Sequence, residues 1–174
     1  MLRLSRTAFA VLLTLSLIGC GYSLVGSGRG TLPPELKTVY VATFVNETVK
    51  VGLEQRLTEA VLRELSARAR LKPVDSRDSA DAELTGRLNS YDVMAVRFDE
   101  AGRAVEYQIQ VTAKITLVDR ISEKTLFEDP SFLFRQPYTV APAAATYSDV
   151  ETAAVETLAR PFARSLVSTM LEGF

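Results

Sequence analysis

One thiol, no imidazole and a scatter of carboxylates are what this chain could bring to covalent or acid-base chemistry. The absence of histidine removes the usual general base, the Ser-His and Cys-His nucleophile pairs and the commonest zinc ligand. With Cys20 as the single cysteine, intrachain disulfides and thiolate metal clusters go too, so neither metal nor cofactor is expected. A carboxylate couple such as Asp92 and Glu106 could be cast as a glycosidase pair, but no spacing signal marks it. Gly26, Gly28 and Gly30 suggest a phosphate loop only superficially. Such loops follow a strand and open a helix, and Thr31-Leu32-Pro33-Pro34 does neither. Lys and Arg number 20 against 21 Asp and Glu, a formal charge of -1, which leaves no positive excess for nucleic acid. The residue types therefore argue against an enzyme and favour a binding or structural role.

The surroundings of Cys20 are the most specific signal. Arg3 and Arg6 precede an apolar run over residues 8–18, broken only by Thr14 and Ser16 and ending at Gly19-Cys20. A spanning helix needs about 20 apolar residues, so this run is too short to anchor the protein and is expected to be cleaved. Leu17-Ile18-Gly19-Cys20 resembles the bacterial lipobox, which implies that residues 1–19 are a lipoprotein signal peptide. By the same resemblance the Cys20 thiol receives diacylglycerol, with two or three acyl chains, palmitate among them, on one residue. One chain binds a membrane marginally, at about 0.8 kcal/mol per buried methylene, whereas two or three make attachment permanent. Gly21 stands where Asp would retain a lipoprotein in the inner membrane, and this points to the outer membrane. Residues 20–36, rich in Gly and Ser before Pro33-Pro34, read as a lipid-anchored flexible tether. Residues 37–174 then suit one domain.

With 47% apolar residues, that domain can bury a core, and its pattern predicts the elements. The β-rich Thr38 to Phe44 run, ended by Asn46, is a strand. Leu53, Leu57, Val61, Leu65 and Ala69 recur every four residues, with Glu59 to Arg63 and Glu64 to Arg68 in the favourable order, so a helix of about 17 residues is expected, ended by Pro73. Arg68, Arg70 and Lys72 at its end are a ligand patch or, as the macrodipole favours, ordinary cations at a helix C-terminus. A short edge strand is possible at Leu71 to Val74. Ala82, Leu84, Gly86 and Leu88 alternate with polar residues. Their parity changes near Ser90-Tyr91, as a bulge or bend would cause, before Val93, Ala95 and Arg97 continue the other phase.

The cleanest alternation sets Val105, Tyr107, Ile109, Val111, Ala113, Ile115 and Leu117 against Glu106, Gln108, Gln110, Thr112, Lys114 and Thr116, a half-buried antiparallel strand. Residues 99–103 have hairpin chemistry. Thr125 to Gln136 is a further strand, with Pro130 assigning it to an edge or breaking it. Residues 137–147 form an exposed excursion. Ser148 and Glu151 have capping-box spacing ahead of a helix to about Glu172, which Pro161 should kink or divide. The expected fold is α+β: two helices on one face of a mainly antiparallel, mixed four-stranded sheet, in the order β-α-β-β-β-α. Its other face, with Glu106, Gln108, Gln110, Thr112 and Lys114, is left open for a partner or for solvent.

The lipobox with Gly21-Tyr22, Leu32-Pro33 before the first strand, the Asn46 turn and helix, Glu106-Tyr107-Gln108 opening the long strand, Phe132-Leu133-Phe134 and the terminal helix together resemble the LptE (RlpB-like) lipopolysaccharide-assembly lipoproteins. The resemblance spans nearly the whole chain. It implies a plug and assembly partner for the outer-membrane β-barrel LptD, lying inside its lumen or on its periplasmic side, that contacts lipopolysaccharide in transit. Basic loop residues at one end of the sheet would bind the lipid A phosphates. Here the corresponding hairpin offers Arg97 and Arg103, beside Asp99 and Glu100, while the 137–147 loop has no Lys or Arg. The run from Val39 to Thr48 is also similar to the opening strand of TolB and CsgG amino-terminal domains, which implies an alternative role in a secretion or envelope-integrity complex.

Overall fold

The computed structural model describes residues 32–68, 70–139 and 147–172. Cys20, the signal segment, the Gly26-Gly28-Gly30 run and residues 140–146 lie outside the described residues, as do the side chains of Ser148 and Glu151. The elements are β1 (Thr38–Val41), β2 (Val45–Asn46), α1 (Leu53–Ala67), β3 (Lys72–Pro73), a 3-10 turn (Arg77–Ser79), β4 (Ala82–Phe98), β5 (Ala104–Asp119), β6 (Thr125–Thr139) and α2 (Tyr147–Glu172). The fold is α+β, two helices on a mixed sheet, as expected. The sheet has six strands rather than four, in the order β3-β1-β4-β5-β6 with β2 also on β4.

The two strands beyond these four are short: β3 is the edge strand anticipated at Leu71 to Val74, β2 is new, and each has a local cause. β1 and β2 both run parallel to β4, but the register slips by one residue between Val41, opposite Leu84, and Val45, opposite Arg87. Phe44 sits in the slip, its amide donating to the buried Thr58 hydroxyl at 3.0 Å. Its ring lies flat on Gly86, where a Cβ would stand 2.6 Å from the nearest ring carbon. Gly86 is thus required by a close approach: any side chain would have to displace the ring. β3 arises because α1 stops at Ala67 and not at Pro73. Arg68 turns extended, its amide bonded to the Leu65 carbonyl, and the chain returns in time for Lys72 to pair with Thr38.

Asn46 organises the entry to α1. Its Nδ2 donates to the Lys50 carbonyl at 2.8 Å and to Glu54 at 2.7 Å, and its Oδ1 accepts from the amide and hydroxyl of Thr48. Gly52, at φ 78°, supplies the left-handed residue before Leu53. Leu53, Leu57, Val61 and Leu65 then point inward, fully buried. At the other end the basic cluster clasps the helices together. Arg68 reaches Glu64 at 3.0 Å, Glu172 at 3.1 Å and the Ser168 hydroxyl at 2.8 Å. Arg70 donates to the carbonyls of Leu171 and Leu32, so its charge meets the negative end of α2. Leu32 and Leu36 already lie in the core.

β4, β5 and β6 form a long antiparallel meander. The expected parity change is a bulge at Asn89, between the Leu88–Ala113 and Ser90–Thr112 pairs. A second bulge at Val96 turns Arg97 opposite Glu106, so Arg97 leaves the phase of Val93 and Ala95 and joins the open face. Pro130 does both things anticipated of it: β6 is the edge strand, and its register slips between Phe132 and Asp129. The excursion starts later than expected, since residues 137–139 continue β6. Pro161 does not divide α2, which runs unbroken through it. Immediately after it, Phe162 fixes the helix to the sheet, edge-on against Phe132 at 5.5 Å and Phe134 at 5.8 Å.

At the base of the sheet, Asp81 ties β1 to β4. Its carboxylate accepts from the amides of Lys37 and Thr38 and from the Thr38 hydroxyl, each at 2.9 Å. Those backbone donors hold its carboxyl below the usual carboxylate range.

Candidate functional site

The face of the meander turned away from the helices carries Glu106, Gln108, Gln110, Thr112 and Lys114 on one strand, because the side-chain period is two and the alternate residues fill the core. Antiparallel pairing sets each into a transverse row. Glu106 stands between Arg97 and Thr139, Gln108 between Met94 and Pro137, Gln110 between Asp92 and Arg135, and Thr112 between Ser90 and Leu133. Several of the charges on this face have polar partners, although Lys114 stands opposite Arg87 and reaches across to the row of Thr116 for its own. Arg97 meets Glu106 at 2.9 Å, Arg135 Nε donates to Gln110 Oε1 at 2.9 Å, and Lys114 meets Glu128 at 3.1 Å. Between them Met94 and Leu133 are each more than two-fifths exposed. The five predicted residues thus share one surface, and the structure adds Asp92, Met94, Leu133, Arg135 and Pro137. Period two on β5 gives the first set. The second depends on register between strands, which a single strand's pattern does not contain.

Asp92 and Glu106 share this face without forming a catalytic couple. Asp92 is level with Gln110, four residues from Glu106, so the carboxylates are about 13 Å apart at ~3.3 Å per residue. Glycosidase pairs stand about 5 to 9.5 Å apart, and Glu106 is already engaged by Arg97. Among the described residues no group of three or more metal-ligating side chains converges.

The hairpin between β4 and β5 does not gather its arginines into one site. Arg97 turns to Glu106, while Arg103 Nε meets Asp99 Oδ2 at 2.8 Å. Asp99 is the organiser of the turn, its Oδ1 accepting from the amides of Ala101 and Arg103 as Gly102 adopts φ 74°. The Arg103 amide first, then its guanidinium and the Ala101 amide, hold the Asp99 carboxyl below its usual range. A depressed carboxylate contributes order that is present above the ordinary aspartate pKa of about 3.9 and lost as pH falls through the lower folded value. An NMR titration should therefore show the Ala101 and Arg103 amide shifts moving together, with a midpoint below that of a free aspartate. A midpoint at or above it would remove Asp99 as the organiser.

The chain matches, over residues 36–170, the family described as LptE: Lipopolysaccharide-assembly. It belongs to the LptE family. Solved structures similar to it include a hypothetical protein from Chlamydia trachomatis, at 10% identity and TM-score 0.53, covering 80% of this chain and 97% of that one. A protein from Xanthomonas campestris matches at 16% identity and TM-score 0.53, over 81% and 88% of the two chains. Uncharacterized lipoprotein B from Nitrosomonas europaea matches at 16% identity and TM-score 0.50, over 81% and 82%. At these identities the likeness is one of fold. No curated protein matches the chain. LptE membership places the chain in lipopolysaccharide assembly and selects that reading over the TolB- and CsgG-like one.

Proposed function

We propose that this LptE-family chain is an outer-membrane lipoprotein, anchored through lipidated Cys20, that acts as plug and assembly partner of the LptD β-barrel and contacts lipopolysaccharide. The observation that carries this reading is the family match across residues 36–170. The open sheet face supports the barrel role. Its polar and charged side chains, with Met94 and Leu133 between them, suit the polar lumen of a large barrel, where a wholly apolar face would find no counterpart. The protein works by binding and catalyses no reaction. Arg97 and Arg103 serve the lipopolysaccharide contact by exchanging Glu106 and Asp99 for phosphate. Exposed pairs of this kind contribute only about 0 to 1 kcal/mol, so a phosphate held by two parallel hydrogen bonds can displace them. The test is copurification of the tagged, lipidated protein from outer membranes. A stoichiometric large barrel identified as LptD is expected, and a self-assembled ring without a barrel would contradict the proposal.

A further inference from the structure

The hairpin arginines are spent on carboxylates, but among the described residues a pair of arginines on the helical layer is not. Along the solvent side of α1 and α2 two adjoining hollows share Arg160. One, of about 410 Å3, is lined by Arg160, Pro161, Arg164, Ser165 and Ser168. The other, of about 370 Å3, is lined by Ala60, Arg63, Glu64, Ala67 and Arg160. Arg160 and Arg164 are one helical turn apart and exposed, and neither makes a hydrogen bond or ion pair with the described residues. Arg63 has only a long contact, 3.5 Å to Glu59. The one carboxylate in the lining, Glu64, is already met by Arg68 at 3.0 Å. Among the described residues the groove therefore presents three guanidinium groups and one carboxylate already engaged elsewhere, with Ala60, Ala67 and Pro161 between them in the lining.

We propose that this groove is a phosphate-binding site for the lipid A end of lipopolysaccharide, separate from the hairpin. Two guanidinium groups a turn apart can each engage a phosphate through parallel, charge-assisted hydrogen bonds, and among the described residues no carboxylate holds either of them. The anion is assigned to a glycolipid because the chain belongs to a lipopolysaccharide-assembly family, and to this extent the inference rests on the lipopolysaccharide contact proposed above. Sequence alone hides the site: Arg160 and Arg164 lie on the polar stripe of an amphipathic helix, where two cations look like ordinary solvation.

The test titrates the full-length lipidated protein, in mild detergent, with lipopolysaccharide and with the same material dephosphorylated. Arg160→Glu with Arg164→Glu is expected to weaken lipopolysaccharide binding about tenfold, more at low salt, with the melting temperature little changed because both side chains are exposed. Arg160→Lys with Arg164→Lys should restore part of the loss, and dephosphorylated lipopolysaccharide should bind wild type and the Glu variant alike. Binding by the Glu variant within about twofold of wild type would overturn the site. So would complete displacement of lipopolysaccharide by low-millimolar inorganic phosphate, which would make the groove a site for the free anion. Absence of lipopolysaccharide binding by the wild-type protein would instead overturn the contact reading itself. Arg97→Glu with Arg103→Glu, run in parallel, reports on the hairpin independently.

Discussion

Phe162→Ala is expected to cost about 3 to 5 kcal/mol of stability, the range for emptying a phenylalanine site in a packed core. The ring is fully buried, and it is the edge-to-face partner of both Phe132 and Phe134, so its removal also forfeits two aromatic contacts, each worth about 0.5 to 1.5 kcal/mol. The loss falls at the joint between α2 and β6, the edge strand. Against a total of about 5 to 15 kcal/mol for a domain, a loss of this size should be visible as a large drop in the urea midpoint. Leu at the same position, which refills most of the volume, should recover much of it. A midpoint within experimental error of wild type would mean that α2 is not held to the sheet as described.

Cys20→Ala is expected to have an all-or-none effect on attachment. If two or three acyl chains on Cys20 hold the protein, their removal takes away an effectively permanent anchor, and among the described residues no helix is long and apolar enough to cross a membrane in their place. The variant should lose labelling by a fatty-acid analogue and leave the membrane pellet, apart from any fraction held by the proposed barrel partner. Continued labelling of Cys20→Ala would contradict the lipoprotein assignment.

Local pattern carried the large elements. The seven apolar positions of β5 announce which face is buried, and the change of parity after Leu88 shows the bulge at Asn89, because both follow from residues adjacent in one strand. The break between β1 and β2 is different. Its cause is the Phe44 ring seated on Gly86, a contact between residues distant in sequence, and Val45 is half exposed, so no alternation marks the second strand. The Val96 bulge is hidden for a similar reason. Continuing the phase of Val93 and Ala95 sends Arg97 to the core side, and only pairing with Glu106 shows that it crosses to the open face. The same holds for the surface: Gln108 and Gln110 are legible as outward-facing, but that they stand beside Met94, Pro137 and Arg135 is a property of the register.

The central claim, that the open sheet face meets the LptD barrel, is tested most directly by photo-crosslinking in cells. A photoreactive residue placed at Gln108 or Gln110 should capture LptD, while one at exposed positions of α1 such as Arg56 should capture it weakly or not at all. Capture from the helical positions alone, with Gln108 and Gln110 silent in a folded, membrane-anchored protein, would contradict the account.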